Sequence, residues 1–241
     1  MKNIIVLQHI KIEDPGYIKD LMLEDKVNIK TVELDEGEKI PSDLSSFDAM
    51  FCMGGPMDTW MEKDYPWLVE EKKKIKEFVV DLNKPYLGFC LGCQLLGEVV
   101  GGKVVKSKNP EIGILDINFL NSKKDDLLFK EYPDIIKSLQ WHSYEVQNLE
   151  NNNDITLLAS SPETKYQIFK YKKHAYGIQF HIEIKDTTVG EWGCVPEYKS
   201  ALESQLGEGA LDKFDSEAKE NIQSMNKYSK MLYENFKKIA N

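Results

Sequence analysis

Cysteine is scarce in this chain: four residues in 241, at Cys52, Cys90, Cys93 and Cys194. That is too few for a disulfide scaffold, so each thiol has to be judged as core filler, ligand or nucleophile. Long apolar runs are lacking as well. Stretches such as Ile4–Leu7 and Phe78–Val80 fall far short of the roughly 20 residues a membrane span requires. Lys11, Glu13 and Asp14 come too early for a signal peptide, and a cytoplasmic location is expected. Positive charge is also in deficit, with 31 Lys+Arg against 40 Asp+Glu and a net charge of −9. This balance disfavours a protein that tracks nucleic acid or an anionic membrane by bulk electrostatics.

What is present is a globular composition, 41% hydrophobic and 29% charged, on a chain long enough for one catalytic core. Apolar runs of strand length recur at Ile4–Leu7, around Val32, at Ala49–Met53 and at Tyr86–Phe89, with helical stretches between several of them. The alternation predicts βαβ units on a parallel sheet covered on both faces. Leu68, Glu71, Ile75, Phe78, Val79 and Leu82 stand at helical spacing, so a helix is predicted over Trp67–Leu82, stopped by Lys84-Pro85. After Gly101-Gly102 come shorter β-like runs at Lys103–Val105, Ile114–Ile117, Ile155–Leu158 and Tyr166–Phe169, with a polar turn over Asn148–Asp154. They predict an antiparallel extension or additional strands. In the tail from Asp215 to Ala240, Ile222, Met225, Tyr228, Met231, Leu232 and Phe236 form one stripe. An amphipathic helix packed on the domain is expected there.

The most informative stretch runs from Pro85 through Gly88-Phe89-Cys90-Leu91-Gly92-Cys93-Gln94 to Gly97. It reads as a short strand, a cysteine with a glycine two residues to either side, and an apolar helix. Such spacing permits the sharp strand-to-helix turn that presents a nucleophile in serine hydrolases. At its tip, the N–H groups of the following helix favour a thiolate, and the Leu91 N–H would point at an adjacent oxyanion. Cys52 and Cys194 lack this context and read as structural. Cys90 and Cys93 also form a C-x-x-C, which keeps a redox reading open. A zinc site would need two more ligands, and neither a second C-x-x-C nor an H-x₃-H occurs; no metal is expected.

A base is offered by Ala175–Ile184, where apolar Ile178, Phe180, Ile182 and Ile184 alternate with Gln179, His181 and Glu183. Period-two alternation places His181 and Glu183 on one face of a strand. His181 is then positioned to take the thiol proton and return one to a leaving amine, with Glu183 fixing its tautomer. His9, His142 and His174 have no such partner in sequence, although Trp141-His142 at a strand end could line a cleft. The run Met50–Met53 ends in Gly54-Gly55-Pro56. A glycine pair at a strand's carboxyl end lets main-chain amides approach a ligand, so Gly54 or Gly55 could complete an oxyanion hole with Leu91. The loop fits neither phosphate-binding glycine pattern.

Taken together, three segments resemble the class I (triad) glutamine amidotransferases, in particular the stand-alone subgroup of GMP-synthase type. They are Met53-Gly54-Gly55-Pro56-Met57, Gly88-Phe89-Cys90-Leu91-Gly92-Cys93-Gln94-Leu95 and Gly177-Ile178-Gln179-Phe180-His181-Ile182-Glu183. Asp64–Leu68, Gly101–Val104 and Trp192 extend the likeness, which spans about Phe47 to Trp192. The resemblance implies a flavodoxin-like α/β fold, an open, mostly parallel sheet with helices on both faces, an antiparallel strand extension and C-terminal helices. It implies one domain over 1–241, with a core to about 192 and a helical extension from about 193. It further implies that Cys90 forms a γ-glutamyl thioester, that His181 is its base and Glu183 the orienting acid. Gly55 and Leu91 would supply oxyanion amides, and Gly54 and Gln94 would contact the substrate. Two positions depart from the family pattern: Ile182 stands where proline is usual, and Cys93 where histidine or alanine is common. No organic cofactor is expected. The expected substrate is glutamine or another γ-glutamyl compound, and with a chain of this length the expectation is either an ammonia acceptor on a separate synthase subunit or a free-standing hydrolase. Competing expectations are a γ-glutamyl peptide hydrolase, a redox protein using Cys90 and Cys93, and a scaffold with a vestigial site.

Overall fold

The computed structural model describes residues 1–240. Five parallel strands form half of one nine-stranded sheet: β1 (Asn3–Gln8), β2 (Asn28–Glu33), β3 (Ala49–Cys52), β4 (Tyr86–Phe89) and β9 (Ala175–Ile178). The other half is antiparallel: β5 (Lys103–Phe119), β6 (Ile135–Gln147), β7 (Ile155–Ser160) and β8 (Ile168–Tyr171). The strand order is β2-β1-β3-β4-β9-β8-β7-β5-β6. The parallel half therefore has the order in which open α/β sheets bind ligands beyond the carboxyl ends of their strands.

Alternation along β1 shows why the sheet is covered twice. Ile4 and Val6 pack on one side with Ile18 and Met22 of helix α1 (Gly16–Glu24) and Phe236 of helix α6 (Ala210–Ile239). Ile5 and Leu7 pack on the other with Leu68 and Ile75 of α2 (Trp67–Lys76) and Leu95 and Leu96 of α3 (Leu91–Val99). Successive side chains of a strand point to opposite faces, so an unbroken apolar run is stable only between two helical layers. Two further helices, α4 (Thr188–Trp192) and α5 (Pro196–Leu206), lead into α6. No helix among the described residues is long and apolar enough to cross a membrane.

The parallel core, the antiparallel extension and the terminal helices match expectation, while several boundaries differ. Helix α2 stops at Lys76 and a wider π turn carries Glu77–Asp81, so the predicted helix changes pitch before Pro85. The predicted strands at Lys103–Val105 and Ile114–Ile117 are one strand, β5, whose register slips between Lys106 and Glu111. For strand β6 only an end near Trp141-His142 was expected; the strand runs through both residues, which sit in its interior. The run predicted from Tyr166 pairs from Ile168 instead. Helix α6 starts at Ala210, five residues before the predicted stripe. Cys194 is exposed, which removes it from the core-filler reading.

Candidate active site

Cys90 lies between β4 and α3 with φ +48° and ψ −103°, a backbone conformation that side chains other than glycine rarely adopt. The surroundings leave no alternative path. A side chain at Gly92 would overlap the Cys52 carbonyl, and one at Gly88 would press on the Gly92 backbone. The Tyr86 hydroxyl donates to the Gly92 carbonyl at 2.8 Å, and Gly92 N–H donates to Met53 at 3.1 Å. The elbow is thereby clamped between β3 and β4. Leu91, the first residue of α3, has an N–H that cannot be satisfied inside the helix.

Strand β9 ends at Ile178, so His181 and Glu183 lie on a bent segment beyond it rather than on a strand. His181 is held there by a two-way backbone pairing with Leu139 of β6, at 2.8 and 3.1 Å. The alternation still puts the two side chains together: His181 Nδ1 is 2.6 Å from Glu183 Oε1. Glu183 Oε2 accepts the Ile182 N–H at 2.9 Å. The Trp192 ring meets the imidazole edge-on at 4.7 Å between centroids. Burial by itself would push the His181 pKa down, but the Glu183 carboxylate and the Cys90 sulfur outweigh it and hold the imidazole well above its ordinary range. Gln179 Nε2 approaches Cys90 Sγ at 3.6 Å, while its Oε1 accepts from Gln94 Nε2 at 3.2 Å.

A buried carboxylate that the sequence pattern does not single out lies behind this pair. Glu13 is 2% exposed, accepts the Tyr198 hydroxyl, and abuts Gly54. Burial raises its pKa to about 7 against the opposing pull of His181 and the Tyr198 hydroxyl. Nothing in the period of the first twenty residues marks Glu13, because Ile10–Asp14 forms a loop. Tyr198 belongs to α5 and reaches the site only through the tertiary packing.

Behind the glycine loop sits a second trio. His9 Nδ1 is 2.8 Å from the Gly54 carbonyl and its Nε2 is 2.9 Å from Glu71 Oε1. The Cys52 thiol donates to the same oxygen at 3.4 Å. His9, Cys52 and Glu71 bring their ligand atoms within 4.8 Å of one another, the geometry a metal would need. Both His9 nitrogens and the thiol are already spent on hydrogen bonds, and only Glu71 Oε2 lacks a partner. Burial lowers the His9 pKa, but Glu71 more than offsets it and the net shift is upward. Burial and Glu71 together push the Cys52 thiol well up. One signal was legible in advance: Glu71 is a charged residue on an otherwise apolar helical stripe.

Cys90 opens into a cavity of about 190 Å³, smaller than the roughly 300–1,000 Å³ of drug-sized sites. Gly55, Leu91 and Gln94 line it beside Cys90; Trp141 and Tyr144 of β6 and Tyr198 of α5 form the opposite wall. Gly54 is not on that wall, since its carbonyl turns toward His9. Gln94 is on it, with its amide also donating to the Tyr144 carbonyl at 3.2 Å. Cys93 is fully buried against Gly177, and its thiol is pushed well up by burial and by Cys90.

Comparison with known proteins places this geometry in context. The family described as "Glutamine amidotransferase class-I" matches residues 17–192. One relative, the glutamine-hydrolysing GMP synthase subunit from Sulfolobus acidocaldarius, is 31% identical over 154 residues, covering 64% of this chain and 76% of that protein. The same-named subunit from Ignicoccus hospitalis is 34% identical over 151 residues, 62% of this chain and 74% of its own. Among solved structures, a glutamine amidotransferase from Thermotoga maritima superimposes with a TM-score of 0.85 at 26% identity, over 100% of this chain and 98% of that one.

Proposed function

The chain belongs to the class I glutamine amidotransferases, and from that premise we propose that it hydrolyses the γ-amide of glutamine through a thioester on Cys90. The observation that carries the reading is the Cys90 elbow opening on a cavity of about 190 Å³ beside the His181–Glu183 pair. A cavity of that volume accommodates one amino acid. Glu183 and Cys90 bias His181 toward imidazolium, so in the attacking state the thiol proton resides on the imidazole. The sulfur adds to the amide carbon, and the negative oxygen is met by the N–H groups of Gly55 and Leu91. Collapse breaks the C–N bond as His181 passes its proton to the departing nitrogen, releasing ammonia. Water then attacks the thioester carbon, gives a proton to His181, and frees glutamate and the thiolate. Gln179, within 3.6 Å of Sγ, orients the sulfur as it attacks.

Two relatives named as subunits of glutamine-hydrolysing GMP synthases support an ammonia acceptor on a separate polypeptide. The test is to supply L-glutamine and follow glutamate and ammonia, and to treat the protein with a chloroketone analogue of glutamine. We expect glutamate formation and a label on Cys90 by site-resolved mass spectrometry. Hydrolysis that persists in Cys90→Ala, or a chloroketone that leaves Cys90 unmodified, overturns the reading.

A further inference from the structure

We propose that His9, braced by Glu71, is a positioning residue that aims the Gly55 N–H at the oxyanion; the inference rests on the glutaminase reading above. In a trans peptide the C=O and N–H of one unit point in opposite directions, and no cis bond occurs among the described residues. His9 Nδ1 holds the Gly54 carbonyl at 2.8 Å. The N–H of the same peptide unit, that of Gly55, therefore points away from His9. His9 is fully buried behind the loop, while Gly55 lines the cavity in front of it. A peptide between two glycines has little intrinsic preference for one orientation, so its aim has to be imposed from outside.

The anchor is itself held on every side. Strands β1 and β3 run parallel with Leu7 opposite Cys52, which carries His9 to the level of Gly54. Glu71 Oε1 receives Nε2 at 2.9 Å, and Trp67 stacks on the imidazole at 5.5 Å between centroids and 26° between planes. Gly54 O is only an acceptor, so Nδ1 must carry a proton. With the Glu71 carboxylate on the other nitrogen, the ring is protonated at both, and its bond to the carbonyl is charge-assisted and correspondingly strong. The cavity wall does not include His9 or Glu71. They act through the loop and not on the substrate.

The experiment compares His9→Leu, which removes the donor, with His9→Asn, whose amide keeps one directed at Gly54. Glutamine hydrolysis gives kcat and KM. Alkylation of Cys90 by iodoacetamide, followed by site-resolved mass spectrometry because the Cys194 thiol is exposed, reports sulfur reactivity in a displacement that forms no oxyanion. Removing an oxyanion donor outright costs about 10²–10³ in kcat, and misaiming one costs less. We expect His9→Leu to lower kcat at least about tenfold, with KM and the alkylation rate nearly unchanged, and His9→Asn to recover most of the loss. An unchanged kcat in His9→Leu, a parallel fall in kcat and alkylation, or His9→Asn no better than His9→Leu overturns the inference. If neither variant folds, the wild-type protein is crystallised with an aldehyde analogue of glutamine. The thiohemiacetal oxygen should then lie on Gly55 N with His9 still on the Gly54 carbonyl; an oxygen held elsewhere, or that carbonyl turned from His9, overturns it equally. Wild-type protein inert toward glutamine with that adduct geometry intact refutes the glutaminase reading alone.

Discussion

The molecule contains two sets of one cysteine, one histidine and one glutamate, and they differ in the order of contact. In the first, Glu183 touches His181 and the cysteine's partner is the imidazole. In the second, Glu71 stands between His9 and Cys52 and takes hydrogen bonds from both. Placing a carboxylate directly on a thiol disfavours the thiolate, and burial adds to the effect, so the Cys52 thiol is pushed well up. Placing it on the far side of the imidazole favours proton transfer from sulfur to ring. Backbone position separates them as sharply. Cys90 sits on a strained elbow at a cavity, whereas Cys52 is the last residue of β3, paired with both sheet neighbours and fully buried. On the proposed reading, the same three residue types give a nucleophile in one place and an internal brace in the other.

The largest expected difference between the two sets comes from deleting each cysteine. Cys90→Ala should reduce glutamine hydrolysis by more than about 10³-fold, since among the described residues Cys90 is the one thiol on the cavity wall. Cys52→Ala should leave the rate within about threefold and cost about 1–2 kcal/mol of stability from the lost packing and hydrogen bond, read by denaturant unfolding. A large rate loss in Cys52→Ala would erase the distinction. Next in size, Glu183→Gln removes the charge that holds His181 up and should lower kcat by about 10²-fold. It should also bring the basic limb of the pH–rate profile to lower pH, because His181 then loses its proton more readily.

The last expected effect, read as a slope of stability with pH and not as a rate, concerns Glu13, which flanks the first set on its buried side. Its carboxyl ionises near 4.5 when unfolded and at about 7 when folded. Between those values the folded state holds one more proton than the unfolded state, so stability falls as pH rises through that window. The full difference amounts to at most about 3 kcal/mol at pH 8. Glu13→Gln should abolish this component, and its melting temperature should fall less steeply than that of the wild type between pH 5 and 8. Equal slopes would show that Glu13 is already ionised in the folded protein.

Much of the first set was legible in the sequence because its pieces are local. Gly88 and Gly92 announce the turn that bears Cys90, and the alternation from Gln179 to Glu183 puts base and acid on one side. The pairing holds even though β9 ends at Ile178 and the chain bends at Phe180 and Glu183; the bridge from His181 to Leu139 fixes the segment instead. The extent of strand β6 beyond Trp141-His142 was missed because both its faces are partly covered and its sequence mixes Lys137, Gln140, His142 and Glu145 with apolar residues. The second set was illegible as a set. His9, Cys52 and Glu71 come from a loop, a strand and a helix, and only the odd carboxylate on an apolar stripe hinted at a buried partner.

By itself, the sequence determined the layered α/β core, the sharp turn at Cys90 and the pairing of His181 with Glu183, all consequences of backbone period and of where glycine stands. Tertiary structure alone decided what surrounds them. It brought Tyr198 of α5, outside the family match at 17–192, onto the cavity wall and onto Glu13. It also set His9 against the Gly54 carbonyl. These contacts join residues 45 and 185 positions apart, and no local period encodes such a meeting: strand register and helix packing produce it.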